Sequence, residues 1–139
     1  MQTVLPQDPC LCIRMRRAAQ RITDYYDKTL LSSGISVNQY SLLINIARLG
    51  ECGTGELAEK VGLEKSTLVR TLKPLLMAEL IADASPTESR KRRLSLTPKG
   101  EHTLQQAIPL WQQAQNKFKQ QLGEEYQSLM GFFNTANTL

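Results

Sequence analysis

Between residues 54 and 79 the chain sets Leu57-Ala58, Val61-Gly62-Leu63 and Leu68 at a spacing that admits one tight turn and little else. Thr54 can cap a short helix carrying Leu57, Ala58 and Val61 on one face. Gly62 and Leu63 turn the chain, and a second helix is expected from about Lys65 to Glu79. The small side chain of Ala58 lets the second helix cross close by, and Leu57, Val61, Leu63 and Leu68 are expected to fill the junction. Two short helices joined by a glycine-containing turn form a helix-turn-helix. A plain helical hairpin buried in a core would share this pattern, so the outer face of the second helix has to decide between them.

At about 100° per residue, Leu68, Leu72, Leu75, Leu76 and Glu79 fall on one side of that helix, the side expected to face the core. The opposite stripe holds Thr67, Arg70, Thr71 and Pro74, flanked by Ser66 and Lys73, with Lys65 at the helix start. Hydroxyls and cations without acids suit contact with base edges and phosphates in a major groove. An ordinary solvated face mixes both signs of charge. Pro74 removes one backbone hydrogen bond and should bend the helix beyond its N-terminal, reading half.

The remaining chain has the same helical periodicity. Asp8-Pro9 reads as an N-cap with proline at the first helical position, followed by Leu11, Met15, Ala18, Ile22 and Tyr25 at helical spacing up to Ser33-Gly34. Ser36 and Gln39 make a capping box for a helix whose face is Tyr40, Leu43, Ile44 and Ala47. After the helix-turn-helix, "LIADAS" and "RRLSL" flank a polar turn and predict a β-hairpin. Thr97-Pro98 opens a long helix through Leu104, Trp111, Phe118 and Leu122, with a kink expected at Pro109. Gly123 separates it from a last helix carrying Tyr126, Leu129 and Phe133. The order is α-α-α-α-β-β-α-α: a mainly helical fold with a small β-wing, in one domain over 1–139.

A run of four cations, Arg90, Lys91, Arg92 and Arg93, sits on the hairpin next to the reading helix. Like charges repel, so such a cluster belongs to disordered chain or meets an anion. On a wing it can enter the adjacent minor groove or grip phosphates. The net charge of +4 and pI of about 9.1 permit a polyanionic partner without requiring one.

Other classes find little support. No apolar run approaches a membrane-spanning length, and no signal peptide is visible. Three cysteines, an odd number, do not read as a disulfide framework, which suggests a cytoplasmic protein with reduced thiols. His102 is the single histidine. No metal-ligand spacing or glycine-rich phosphate loop occurs, so neither an enzyme nor a cofactor is expected.

These motifs resemble the MarR (multiple-antibiotic-resistance regulator) family of winged helix-turn-helix transcription factors. The wing pattern carries the resemblance most sharply: Glu88, Arg90, Leu94, Leu96-Thr97 and Gly100. "SVNQYSLL", "ELAEKVGLEKSTLVRTLKPL" and "LIADAS" also fit the family. The resemblance implies DNA contacts from Thr54, Lys65, Ser66, Thr67, Arg70, Thr71, Lys73, Arg90, Lys91 and Arg92, with Glu88 orienting the wing arginine where the family usually has Asp. It also implies that residues 36–100 bind double-stranded DNA at a palindromic operator. Residues 8–33 and 101–139 would then join a homodimer. The long, one-sidedly apolar terminal helices agree, because the central reader is too small to cover them.

Family members are mostly repressors released by a small phenolic or anionic effector or by thiol oxidation. Cys12 resembles the sensing thiol of the family's peroxide sensors, although Arg16 stands where those carry tyrosine. Cys10 and Cys12 point apart on a helix, which disfavours their pairing. The alternative to a DNA-binding repressor is a winged-helix module that binds protein or RNA.

Overall fold

The computed structural model describes residues 2–85 and 91–139. Its elements follow the expected order: α1 (Leu11–Leu30), α2 (Val37–Leu49), α3 (Thr54–Val61), α4 (Lys65–Met77), β1 (Ile81–Asp83), β2 (Leu94–Leu96), α5 (Pro98–Leu122) and α6 (Glu125–Ala136). α1 starts later than the Asp8-Pro9 signal predicts. Cys10 is the N-cap and makes no side-chain cap bond. Residues 2–10 are exposed, so a longer helix would gain no packing to offset the cost of ordering it.

α2 begins as expected. The Gln39 N–H donates to Ser36 Oγ at 3.2 Å, and the Ser36 N–H donates to Gln39 Oε1 at 3.0 Å. Its burial is wider than one face, however: Tyr40, Leu42, Leu43, Asn45 and Ile46 are buried, while Ala47 is exposed. α2 touches α1, α3, α5 and β2, so neighbours surround it and a single stripe cannot describe it.

The helix-turn-helix closes on Leu57 and Leu68, both fully buried, with Ala58 between them. Gly62 supplies the turn at φ 73°, a left-handed conformation that glycine adopts without steric cost, and the Leu63 N–H donates to the Ala58 carbonyl at 3.0 Å. Leu63 itself is 38% exposed and does not fill the junction. Thr54 is not the cap of α3. Gly53 is, and its N–H donates to the Glu56 carboxylate at 3.4 Å, which leaves Thr54 as a buried first helical residue.

α4 ends at Met77, two residues before the expected Glu79. The Glu79 N–H bonds to the Leu76 carbonyl at 3.1 Å and the Leu80 N–H to the Leu75 carbonyl at 3.0 Å, a Schellman closure. Glu79 holds the left-handed position at φ 59° and is exposed, so Leu80 takes the core place assigned to it. β1 then pairs with β2 antiparallel, Ile81 opposite Leu96 and Asp83 opposite Leu94. Cys52 adds a third short rung: its N–H reaches the Leu94 carbonyl at 2.9 Å and its carbonyl accepts the Leu94 N–H at 2.7 Å.

The start of α5 locks this assembly. Thr97 caps it by accepting the Gly100 N–H at 2.9 Å and donates its hydroxyl to the Glu79 carbonyl at 2.6 Å. Its own N–H bonds to the Leu80 carbonyl at 3.1 Å. α5 then continues as one helix through Pro109. Trp111 stacks on Tyr40 with ring centroids 5.5 Å apart, and Tyr25 donates to the Ala114 carbonyl at 3.2 Å, tying α1 and α2 to α5.

A Cβ built on Gly100 would lie 1.9 Å from the Leu80 carbonyl oxygen, a clash with backbone that no rotamer relieves. Gly100→Ala should therefore destabilise the fold by about 1–3 kcal/mol or more, seen as a lowered thermal midpoint. An unchanged midpoint would show that α4 and α5 do not meet this closely.

Candidate nucleic-acid interface

α4 offers the surface expected of it. Leu68, Leu72 and Leu75 are buried against the core. Lys65, Ser66, Arg70, Lys73 and Pro74 are exposed, and Thr67 and Thr71 are half-buried at the edges. The helix has no acid in its first turn. Arg70 Nη2 lies 3.5 Å from Thr67 Oγ1, a weak internal contact that leaves most of the guanidinium available. The Thr71 hydroxyl donates to the Leu68 carbonyl at 2.7 Å, so its donor is already engaged. Pro74 sits inside the helix, which continues past it through the Ala78 N–H bond to the Pro74 carbonyl at 2.9 Å.

The cation run divides by role. Arg93 Nε bonds to Glu51 Oε1 at 2.8 Å, bracing the wing against the chain just before α3. Arg92 Nη1 lies 3.5 Å from Asp83 Oδ2, an ion pair across the hairpin. Lys91 and Arg92 line a groove together with Gly53, Thr54 and Lys65, so four of the expected contact residues converge at the base of the wing. Thr54 presents little surface there, being 9% exposed. Glu88 and Arg90, the expected wing-tip pair, lie outside the described residues.

Asp83 was not singled out by sequence reasoning, yet it organises the wing base. Its Oδ1 accepts the N–H groups of Ser85 and Arg93, each at 3.0 Å. An acid directly before a turn that leads into a cation run was the available signal. Desolvation alone would raise its carboxyl pKa. Hydrogen bonds from Ser85 and the Arg93 backbone, with Arg92 nearby, outweigh that and hold it below the usual carboxylate range.

The cysteines stand apart from this surface except for Cys52. Cys10 and Cys12, at the start of α1, are exposed and free. The Cys52 thiol is pushed up in pKa by burial and by the Glu56 carboxylate, which keeps it protonated and unreactive at neutral pH. Among the described residues there is no cluster suited to a metal ion, and no helix is long and apolar enough to cross a membrane.

Because the Asp83 pKa is lowered on folding, its contribution is fully present above the unfolded value of about 3.9 and is lost as pH falls through the lower folded value. Asp83→Asn should thus lower the thermal midpoint by a constant amount between about pH 5 and 8, with the two proteins converging in stronger acid. A gap that persists unchanged into acid would show that the carboxylate charge is not what matters.

The model of the MarR family matches residues 35–92. Among solved structures, the Mycobacterium tuberculosis transcriptional regulator MosR in complex with DNA is 30% identical, with 94% of this chain and 98% of that chain covered and a TM-score of 0.79. The transcriptional repressor CouR bound to a 23-mer DNA duplex is 23% identical over 92% of each chain, with a TM-score of 0.78. Bordetella bronchiseptica BpsR, whose DNA binding is regulated by 6-hydroxynicotinic acid, is 18% identical over 99% of this chain and 100% of its own, with a TM-score of 0.84. At these lower identities the likeness is one of fold. No curated protein matches the sequence. With its central helix-turn-helix matched by the family model and nearly its whole length shared with MosR, the chain belongs to the MarR family of transcriptional regulators.

Proposed function

We propose that the protein is a homodimeric repressor that reads a palindromic DNA operator with one α4 helix in each half-site. The acid-free exposed face of α4, with Lys65, Ser66, Arg70 and Lys73 outermost, is the observation that carries this reading. Arg70 would contact base edges, and Lys65, Lys91 and Arg92 would hold phosphates around the groove at the wing base. Arg90, beyond the described residues, would reach the minor groove, with Glu88 orienting it.

Unsatisfied apolar surface supports the dimer. α6 buries no residue and α1 buries only Leu30. Leu11, at 68% exposure, stands in solvent on α1, as do Met15 and Ile22; Phe132 and Phe133 do the same on α6. Between these helices and α5 runs an apolar groove lined by Met15, Ile22, Phe118, Met130 and Phe133. A second copy of the chain, two-fold related, would cover these surfaces and bring two reading helices to one side of the assembly.

The half-sites should then lie about 10 base pairs apart, centre to centre. Inserting about five base pairs should abolish tight binding by turning one half-site to the far side of the duplex. Arg70→Ala should cost about 1–3 kcal/mol at the contacted base and relax preference there, whereas Arg90→Ala should weaken binding to all duplexes and flatten the salt slope by about one unit. A stable monomer in sedimentation, or affinity unchanged by the insertion, overturns the dimeric reader. Binding without any preference for a palindrome favours a winged-helix module for protein or RNA.

Release would follow from a small phenolic or anionic effector or from oxidation of Cys12. BpsR, regulated by 6-hydroxynicotinic acid, supports the first route. The exposure of Cys12 on an arginine-rich turn with Arg14 and Arg16 supports the second. Peroxide should free the operator from the wild type and not from Cys12→Ser if the thiol is the sensor. Equal release of both excludes it.

A further inference from the structure

We infer that Val69 is a specificity-determining residue that packs on the 5-methyl group of a thymine in each half-site. This inference rests on α4 being the DNA-reading helix. Val69 is 39% exposed in the second turn of α4, while Leu68 and Leu72 beside it are buried to 0% and 1%. A β-branched apolar side chain placed this way leaves part of its apolar surface free for a partner. Its surroundings are specific. Residues four apart on a helix are surface neighbours, so Val69 stands in a row between Lys65 and Lys73, both exposed, with Ser66 one turn back.

With α4 in a major groove, that row would run beside one strand of the duplex. Two cations one turn either side of the valine can grip phosphates, which brings the side chain between them to the base edges just inside the backbone. The apolar feature a base presents there is the thymine methyl, and apolar side chains recognise it. Ser66 supplies a hydrogen-bonding group on the side of Val69 and Arg70 one on the adjoining side, while Thr67 lies on the opposite edge of the helix. Ser66 and Arg70 have no methyl to offer, and those of Thr67 and Thr71 belong to half-buried side chains on the opposite edge, so Val69 supplies the apolar contact on this side. Met77 is also exposed, at 76%, but it lies in the last turn, beyond Pro74 and away from the reading end.

Val69 is partly covered, so the thermal midpoint of Val69→Ala is measured beside its binding, and an unchanged midpoint assigns any loss of affinity to recognition. Operators are first selected from random duplexes with the wild-type protein, and each thymine is then replaced by deoxyuridine, which removes only the methyl group. One thymine per half-site should prove sensitive, with affinity falling about fourfold for one substitution and about fifteenfold for both, the value of burying one methyl-sized group at each site. Val69→Ala should bind the same operator more weakly and lose this sensitivity. Val69→Thr, which keeps the shape and one methyl, should retain part of it. Wild-type binding indifferent to deoxyuridine at every thymine overturns the inference, as does equal sensitivity in wild type and Val69→Ala, because another group would then read the methyl. If the wild type selects no sequence at all, the DNA-reading role of α4 fails, and this assignment falls with it.

Discussion

The Leu80 carbonyl is the point on which the joining of the helix-turn-helix to α5 depends. It accepts the Thr97 N–H, lies against Gly100 where a Cβ would come within 1.9 Å, and belongs to the residue that closes α4. The Thr97 hydroxyl bonds to Glu79, and Lys99 Nζ reaches the Ala78 carbonyl at 2.9 Å, so the end of α4 and the start of α5 satisfy one another's backbone groups. The last carbonyls of a helix lack partners within it, and here Thr97 and Lys99 supply partners after α4 while Thr97 also caps α5. The result joins the residues that end α4 to the start of the long α5 helix.

The wing shows how a charged run can serve both structure and binding. Arg93 and Arg92 are drawn to Glu51 and Asp83, and the backbone of Cys52 pairs with that of Leu94 beneath them. These exposed and half-exposed ion pairs are weak energetically, since water screens them. Their geometric effect is larger: together with the Asp83 hydrogen bonds they hold the hairpin base against the start of α3. The positive groove there gains its shape from the arginines that are already paired. Repulsion within the run is reduced by placing its acids on two other segments.

Apolar surface is distributed unevenly along the chain. The core runs from Leu30 through α2, the helix-turn-helix and the wing to Ala107, and it is closed within one chain. α6 and most of α1 contribute nothing to it and expose aromatic and aliphatic side chains. Such a division suits a body that folds around the reader and uses its ends for association, which is consistent with the homodimer proposed above.

Periodicity and local chemistry determined most of the element plan from the sequence alone: the Ser36 box, the Gly62 turn, the Thr97-Pro98 cap and the alternating apolar face of α4 act within a few residues, and each appears where its chemistry places it. The acid-free exposed face of α4 was legible for the same reason, since side chains on one short helix share a face by rotation alone. What only the tertiary structure decided was everything that depends on a distant partner. Glu51 finds Arg93 from 42 residues away, Asp83 receives the Arg93 N–H across the hairpin, and Cys52 becomes a strand residue because β2 arrives beside it. The errors have the same origin: Ala47 and Leu63 fit an apolar pattern but face solvent, and Glu79 sits on the core side of an ideal helix that in fact stops two residues earlier. Local pattern fixes which residues can face inward; only the packing of remote segments fixes which of them do.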